Sequence, residues 1–229
     1  MLEEILTRAD GLDALRLASA ALSCAVSVAY LGVLNRETAP LRTGVKTAAI
    51  AILSILPLTY LGTPNAPAGA LLLLTLALAL SALGDFFLAL RDQSRFFVPG
   101  LGSFLAAHVA YVIAFAPYAS GFSGEGVAVL IATFVAAGLL LARIAPKLGR
   151  LRLPVFAYFA VIMTMVAASL SILEASWVLG AGAVIFALSD SLIAVRKFWS
   201  PFSFINEAVW VTYIAAQFMI VAGYLTLIL

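Results

Sequence analysis

Eight apolar stretches follow one another along the chain, separated by short connections rich in Pro, Gly and polar residues, such as "GTPNAPAG" and "SGFSGEG". Each stretch is close to the roughly 20 residues that a helix needs to cross a bilayer. Because lipid offers no partner to open backbone groups, each stretch is predicted to be an α-helix. The approximate bounds are 14–34, 46–62, 68–90, 99–119, 126–145, 153–173, 177–196 and 206–228. The pattern therefore predicts an all-α, polytopic membrane bundle of eight transmembrane helices, forming a single integral membrane domain over residues 1–229.

Composition agrees with this pattern. The 229 residues are 64% hydrophobic and only 10% charged, and the mean hydropathy is +1.13. A soluble domain exposes far more charge, so membrane lipids are the expected surroundings. The basic residues lie in short connections without interleaved exposed aromatics, which argues against nucleic acid as a partner. Cys24 is the single cysteine, so no internal disulfide is possible. No oligomeric state follows from these observations.

Basic residues are distributed unequally between the connections. Of the 13 Lys and Arg residues, 11 lie in the connections that follow the first, third, fifth and seventh segments. By the positive-inside rule these connections are cytoplasmic, and both termini lie outside. The Ala-rich composition is typical of a bacterial protein, so the expected location is a bacterial cytoplasmic membrane.

A ten-residue phrase occurs twice. "ALGDFFLALR" ends the third segment and "ALSDSLIAVR" ends the seventh, with Asp85 and Asp190 at equivalent places. Four helices separate the copies, so both run in the same direction. Residues 14–119 and 126–228 would then be parallel four-helix repeats. The alternative is chance, because Ala, Leu and Arg are common at cytoplasmic helix ends. Chance explains the arginine more easily than the shared aspartate.

Four polar residues from four segments are expected at similar depths. Counting along each helix from the cytoplasmic boundary, Asp85 and Asp190 lie about 9 Å deep, His108 about 13 Å and Tyr213 about 10 Å. An ionisable residue inside a span costs about 2.5–3.5 kcal/mol, so such residues face the bundle interior or a water-filled cavity and usually serve a function. Their helical neighbours would extend one polar pocket open to the cytoplasm: Ser81, Tyr111, Ser189 and Gln217.

Structural explanations stay open for each of these residues. Asp85 can reach Arg91 or Arg95, and Asp190 can reach Arg196, as ion pairs at the helix ends. A single histidine such as His108 is also a common interhelical hydrogen-bonding residue. Tyrosines such as Tyr213 gather near lipid headgroups. Lys46 stands where the second segment begins and fits a boundary residue.

These residues carry a resemblance to a known family. The matching features are Gly84-Asp85, "GLGSFLAAHVAYV" with His108 and Tyr111, "GAVIFALSD" with Ser189 and Asp190, "YIAAQ" with Tyr213 and Gln217, and Lys46 and Pro57 in the second segment. In their order and spacing, from the second segment to the eighth, the chain resembles the lysoplasmalogenase (YhhN) family of eight-helix membrane proteins. The resemblance implies a membrane hydrolase that acts on a lysophospholipid. It would cleave the vinyl ether bond of lysoplasmalogens, or of a related lysolipid, to a fatty aldehyde and a glycerophospho-base.

The residues suit this chemistry. A vinyl ether hydrolyses by protonation of its β-carbon, which gives an oxocarbenium ion that water captures. In glycoside cleavage, which passes through a similar cation, two carboxyl groups divide the work. One must hold a proton and the other must be ionised, an asymmetry that a low-dielectric bundle can supply. Asp85 and Asp190 are therefore the expected acid/base pair, with neither role assigned to either residue. No cofactor or metal is expected.

The remaining polar residues have expected supporting roles. His108 would orient the attacking water or one aspartate, and Tyr213 and Gln217 would hydrogen-bond ether or glycerol oxygens. The other expected substrate-binding residues are Ser81, Tyr111, Ser189 and Lys46. Four cations at the cytoplasmic mouth fit either a phosphate site or ordinary positive-inside residues: Arg91, Arg95, Arg196 and Lys197.

Two other functions remain open at this point. Parallel repeats and buried carboxylates also suit a proton-coupled transporter of a small or lipid-like solute. A metal-dependent hydrolase would use Asp85, Asp190 and His108 as ligands, although one histidine is few for zinc.

Overall fold

The computed structural model describes residues 5–36, 40–172 and 175–229. Within them, eight helices are long and apolar enough to cross a membrane, as the hydropathy pattern predicts. The chain is thus an integral, multi-pass membrane protein. Residue 173, the predicted end of the sixth segment, lies outside the described residues. The helices are α1 Asp13–Leu31, α2 Pro40–Leu53, α3 Ala68–Ala89, α4 Gln93–Phe115, α5 Gly124–Ile144, α6 Arg152–Leu170, α7 Trp177–Phe198 and α8 Ile205–Ile228.

Two helices begin earlier than their apolar stretches. The second starts at Pro40 rather than near 46, because proline is preorganised for a first helical turn. The fourth starts at Gln93, and Pro99 lies inside it rather than at its start. The cap is Asp92, whose Oδ1 accepts the backbone N–H of Ser94 at 3.1 Å and of Arg95 at 3.2 Å. The helix thus begins about 9 Å further from His108 than the apolar stretch indicates.

The second span is interrupted near its end. Pro57 has no N–H to donate to the carbonyl of Leu53, so α2 stops there. After Ser54 the chain resumes as one helical turn, Ile55–Leu58, and the span as a whole is Pro40–Leu58.

The chain divides into two compact units. The first contains Met1–Ala114 and Leu225–Leu229, and the second contains Phe115–Tyr224. In the first unit α2 packs against both α1 and α3, and in the second α7 packs against α5 and α6. The parallel relation of two repeats stays a prediction.

A fully buried arginine joins the first two spans within the first unit. The Arg16 side chain is 0% exposed. Its Nη1 donates to Asp10 at 2.7 Å and to Asp13 at 3.0 Å. Its Nη2 donates to Asp10 at 2.6 Å and to the Thr59 carbonyl at 3.0 Å, and its Nε donates to the Thr59 hydroxyl at 3.2 Å. The charge thus stays inside the protein with partners for all three nitrogens, and the N-terminal segment is tied to the end of the second span.

Tyr60 completes this network, which sequence reasoning did not predict. Its ring centroid lies 4.3 Å from the Arg16 guanidinium carbon, a cation–π contact. Its hydroxyl donates to the Ile5 carbonyl. Burial raises the pKa of Tyr60 to about 12, so the phenol stays protonated and able to donate.

Glycines set the contact between α7 and α8 in the second unit. A Cβ at Gly223 would lie 2.5 Å from the backbone nitrogen of Leu179, and one at Gly182 would lie 3.0 Å from that of Ile220. The Ser176 hydroxyl donates across the same contact to the Gly223 carbonyl at 3.0 Å. The two backbones approach this closely because no side chain stands between them.

Candidate active site

Asp85 is a buried carboxylate with a cationic partner. It lies near the end of α3 and is 1% exposed. The Lys46 Nζ, on α2, is 2.9 Å from its Oδ1, and the two side chains are 16% and 2% exposed. The Lys46 cation beside Asp85 therefore comes from the neighbouring helix. Lys46, expected to bind substrate or mark a boundary, is the ion-pair partner of Asp85.

The local sequence explains why α2 and α3 meet here. The Thr43 hydroxyl lies 3.4 Å from the Ala89 carbonyl, which links the two helix ends. Ser81, one turn before Asp85 on α3, donates its hydroxyl to the Ala77 carbonyl at 2.9 Å. That hydroxyl is therefore already engaged with its own helix, as serines in apolar helices commonly are.

His108 lies on α4, in the same unit as Asp85. Its Nδ1 is 2.6 Å from the Phe104 carbonyl oxygen, and the residue is 1% exposed. Because a carbonyl only accepts, Nδ1 carries the hydrogen, and in the neutral ring Nε2 carries the lone pair. Tyr111, one turn further on, is fully buried.

Gly84 sets the approach of α4 to α3 next to Asp85. A Cβ at Gly84 would lie 2.5 Å from the Phe104 ring, a distance that real Cβ atoms do not show. The Phe104 carbonyl is also the acceptor for His108. The glycine of the Gly84-Asp85 pair thus leaves room for the residue that orients the histidine.

Asp190 has a neutral partner in the second unit. The Tyr158 hydroxyl, on α6, donates to the Asp190 Oδ2 at 2.7 Å. Tyr158 is buried, while Asp190 is partly exposed. Sequence reasoning missed Tyr158, because a tyrosine between apolar residues in "VFAYFAV" is more often a packing residue. The one indication in the sequence was a phenol hydroxyl within this short run of apolar residues.

The other residues expected near Asp190 have varied contacts. Ser189 donates its hydroxyl to the Val209 carbonyl at 3.0 Å and so ties α7 to α8. The Tyr213 ring packs edge-on against Phe186, with centroids 5.5 Å apart. Gln217, one turn beyond Tyr213, is 0% exposed. At the end of α7, Arg196 donates to the Asn206 side chain at 2.9 Å.

Both units contain the same arrangement of an aspartate and a polar partner, but the chemical type of the partner differs. An aspartate near the end of one helix meets a polar side chain from the helix before it. In the first unit the partner is the Lys46 ammonium, a cation. In the second it is the Tyr158 phenol, a neutral donor that can serve a carboxylate or the carbonyl oxygen of a protonated carboxyl group.

Comparison with known proteins gives a family and several relatives. Residues 41–224, well over half of the chain, match the YhhN family. The chain is 39% identical over 153 residues to proteins named lysoplasmalogenase from Mycobacterium bovis and Mycobacterium tuberculosis, with 65% of this chain and 58% of each relative covered. It is 34% identical over 152 residues to Lysoplasmalogenase TMEM86A of Bos taurus, with 62% and 61% covered. The matches thus span about three fifths of the relatives' own length. No solved structure matches the chain significantly.

Proposed function

Because the chain belongs to the YhhN family, we propose that it hydrolyses the vinyl ether bond of a lysoplasmalogen or a related lysolipid. The products are a fatty aldehyde and a glycerophospho-base. The relatives named lysoplasmalogenase support this reaction class and give no support to the transporter alternative. The observation that carries the proposal is the pairing of each spanning-helix aspartate with a different partner, Lys46 for Asp85 and Tyr158 for Asp190.

The partners suggest a division of roles. Asp85, whose partner is the Lys46 ammonium, is the base that takes a proton from the attacking water. Asp190, held by the neutral Tyr158, is the acid that donates its proton to the β-carbon of the vinyl ether. The C–H bond forms as the O–H bond of the acid breaks, and the enol ether electrons leave an oxocarbenium ion. Water adds to this cation and gives a proton to Asp85. The hemiacetal then collapses to aldehyde and alcohol: its hydroxyl proton returns to Asp190, and Asp85 gives its proton to the departing glycerol oxygen.

Other buried side chains support these steps in our proposal. The lone pair on the His108 Nε2 accepts a hydrogen bond from the attacking water and so orients it. Tyr213 and Gln217 hydrogen-bond ether or glycerol oxygens, and Tyr111 lines the site. Tyr158 is a positioning residue, because it acts through Asp190.

The test is release of aldehyde from a defined lysoplasmalogen by the purified full chain in detergent. Asp85→Asn and Asp190→Asn should each lower kcat by at least about a hundredfold, in line with the loss of a general acid or base. The matched control is Asp92→Asn, an exposed aspartate whose replacement still caps α4. Full activity in either Asp85→Asn or Asp190→Asn, with the protein folded, would refute the pair.

Three further measurements distinguish the proposed hydrolase from the alternative functions. A saturated ether lysolipid should give no aldehyde, because it has no vinyl ether to protonate. Activity that survives exhaustive chelation counts against a metal-dependent hydrolase. Solute uptake into liposomes that depends on Asp85 or Asp190, without aldehyde release, would replace the hydrolase by a transporter.

Tyr158→Phe separates a positioning role from a structural one. Loss of the 2.7 Å hydrogen bond to Asp190 should lower kcat about tenfold, shift the alkaline limb of the pH profile, where a general acid loses its proton, and leave KM within about twofold. A purely structural role would lower the amount of folded enzyme without moving the pH profile.

We also propose an orientation. The basic connections face the cytoplasm of a bacterium, both termini lie outside, and the ends of α3 and α7 that carry the aspartates lie toward the cytoplasm. An alkaline phosphatase fused after Leu229 should be active, and the same reporter inserted in the connection after α3 should be inactive. The reverse pattern would overturn the orientation.

A further inference from the structure

The connection between α5 and α6 carries a concentration of positive charge. Residues 143–152 contain four cations, and no acidic residue occurs anywhere between 126 and 173. In the connection between α3 and α4, by contrast, Asp92 separates Arg91 from Arg95. The positive-inside rule predicts an excess of basic residues but not the absence of acidic ones, so it does not account for this difference. The four cations are Arg143, Lys147, Arg150 and Arg152.

This connection has a defined backbone. It consists of two short 3₁₀ turns, Ala145–Lys147 and Gly149–Leu151, and α6 begins directly after them. Ile144 and Leu148 are 2% and 3% exposed, so their side chains anchor the turns in the second unit. The four cationic side chains are all exposed. Buried apolar side chains therefore fix the backbone, and the cations lie together on its outer side.

The four cations have no carboxylate partner within the part of the chain that the structure describes. Two of them contact aromatic rings instead. The Arg143 guanidinium carbon lies 5.7 Å from the ring centroid of Trp199. The Arg152 guanidinium carbon lies 5.8 Å from that of Phe156. A ring does not neutralise the charge, so the N–H groups of both guanidiniums stay available to an oxyanion.

Exposed aromatic side chains lie beside these cations at the end of α7. Trp199 is 47% exposed, and its contact with Arg143 joins the end of α5 to the end of α7. Phe202 and Phe204, in the connection that follows, are 52% and 76% exposed. A tryptophan at the end of a span usually lies at the level of the lipid headgroups. The four cations and Trp199, here called the basic–aromatic surface, therefore lie where phosphate groups of membrane lipids are found.

We propose that the basic–aromatic surface binds the headgroups of anionic phospholipids in the surrounding membrane. The arginines bind phosphate oxygens with paired hydrogen bonds, and Lys147 adds a point charge. Trp199 contacts the glycerol and the first carbon atoms of the chains. Because the turns hold the cations in place, less conformational freedom is lost on binding than for a flexible basic segment. The proposal does not depend on the proposed hydrolase, because an anionic bilayer lipid is not the substrate of that reaction.

The experiment uses the fluorescence of Trp199 as the reporter. The full chain carries Trp177→Phe, which removes the other exposed tryptophan, and Trp210 stays as a buried background at 3% exposure. The probe is phosphatidylglycerol with brominated chains, which quench tryptophan, titrated into micelles of a zwitterionic detergent. Half-quenching should need at least about tenfold less of this lipid than of brominated phosphatidylcholine, whose headgroup carries its own cation. Equal quenching by the two lipids would overturn the proposal. Trp199→Phe should remove the lipid-dependent signal.

Substitutions test the cations that do not touch the reporter. Lys147→Gln and Arg150→Gln should each weaken binding of phosphatidylglycerol about fivefold, and together about twentyfold, as expected for cations near an anionic surface. Arg150→Lys should keep most of the affinity, because it keeps the charge. The matched control is Arg36→Gln, which removes one exposed cation of the first unit and should change binding by less than about twofold. Equal weakening by Arg150→Gln and Arg36→Gln would mean a general effect of net charge and would overturn the proposal.

Competition distinguishes a lipid from a free anion. Glycerophosphoglycerol, the headgroup without chains, and inorganic phosphate should displace the brominated lipid only at concentrations at least about a hundredfold higher, because neither buries apolar surface. Displacement by inorganic phosphate at equal concentration would show a site for free anions and would overturn the assignment to a lipid.

Discussion

The ion pair between Lys46 and Asp85 allows a quantitative test of the fold around the proposed site. The perturbation is a double-mutant cycle of Lys46→Met, Asp85→Asn and both together. At 2.9 Å and an effective dielectric constant of about 20, two unit charges attract by about 6 kcal/mol before the cost of desolvation. Removing one member of a buried pair typically costs about 3–5 kcal/mol, because the other charge is left without compensation.

The two single changes should not be equal. The Asp85 side chain is 2% exposed, so its carboxylate has no route to water when Lys46 is replaced. Lys46→Met should therefore lower the free energy of unfolding by about 3 kcal/mol. The Lys46 side chain is 16% exposed and its stem is flexible, so Asp85→Asn should cost about 1–3 kcal/mol. The double variant holds no unpaired charge and should lie within about 2 kcal/mol of the original protein.

The assay is reversible unfolding by dodecyl sulfate in mixed micelles, followed by circular dichroism. The quantity to be measured is the coupling free energy of the cycle, expected to be at least about 2 kcal/mol. A control cycle uses Asp92→Asn and Arg95→Met at an exposed helix start, where the two changes should be close to additive. Additive losses at Lys46 and Asp85, with coupling below about 0.5 kcal/mol, would show that the two residues do not form the buried pair described here.

Two other predictions concern stability. Gly223→Ala should cost at least about 2 kcal/mol, because its Cβ would lie 2.5 Å from the Leu179 backbone nitrogen. Gly138→Ala, which meets nothing within 4 Å, should be neutral or stabilising by up to about 1 kcal/mol. Equal effects in dodecyl sulfate unfolding would contradict the close helix contact. The hydrogen bond from Arg16 lowers the pKa of Asp10 from 3.8, so the stability it contributes is complete above that value and lost as pH falls through the lowered one. Thermal unfolding from pH 7 to pH 2 should show that loss, and Asp10→Asn should make it smaller.

Much of the architecture follows from local sequence. Eight apolar stretches, each close to the length that a bilayer requires, lead to eight spanning helices because a helix satisfies its own backbone groups in lipid. The same argument singled out Asp85, His108 and Asp190, since an ionisable group inside a span is costly unless it has a partner or a function. The family resemblance, read from the order of short motifs, agrees with the match over residues 41–224.

The partners of these residues depended on tertiary structure. Most of these helices are apolar on nearly every side, so the sequence pattern does not indicate which face of one helix meets which face of the next. Lys46 therefore looked like a boundary residue and Tyr158 like a packing residue until the helices were placed together. The earlier start of α4 was hidden for a different reason, because its first turn is polar and held by Asp92 rather than by apolar burial.

In the first helix, too, the sequence determined some features and tertiary structure determined others. Its sequence indicates a span that begins with charged residues, and nothing in that stretch identifies a partner for Arg16. Its side chain is buried because Asp10 and Asp13 come from the same segment while Thr59 comes from the end of the next span. Hydrophobic length determined that the helix spans the membrane. Only the packing of α1 against the second span determined that a full positive charge could be buried there, because the acceptors that compensate it come from both.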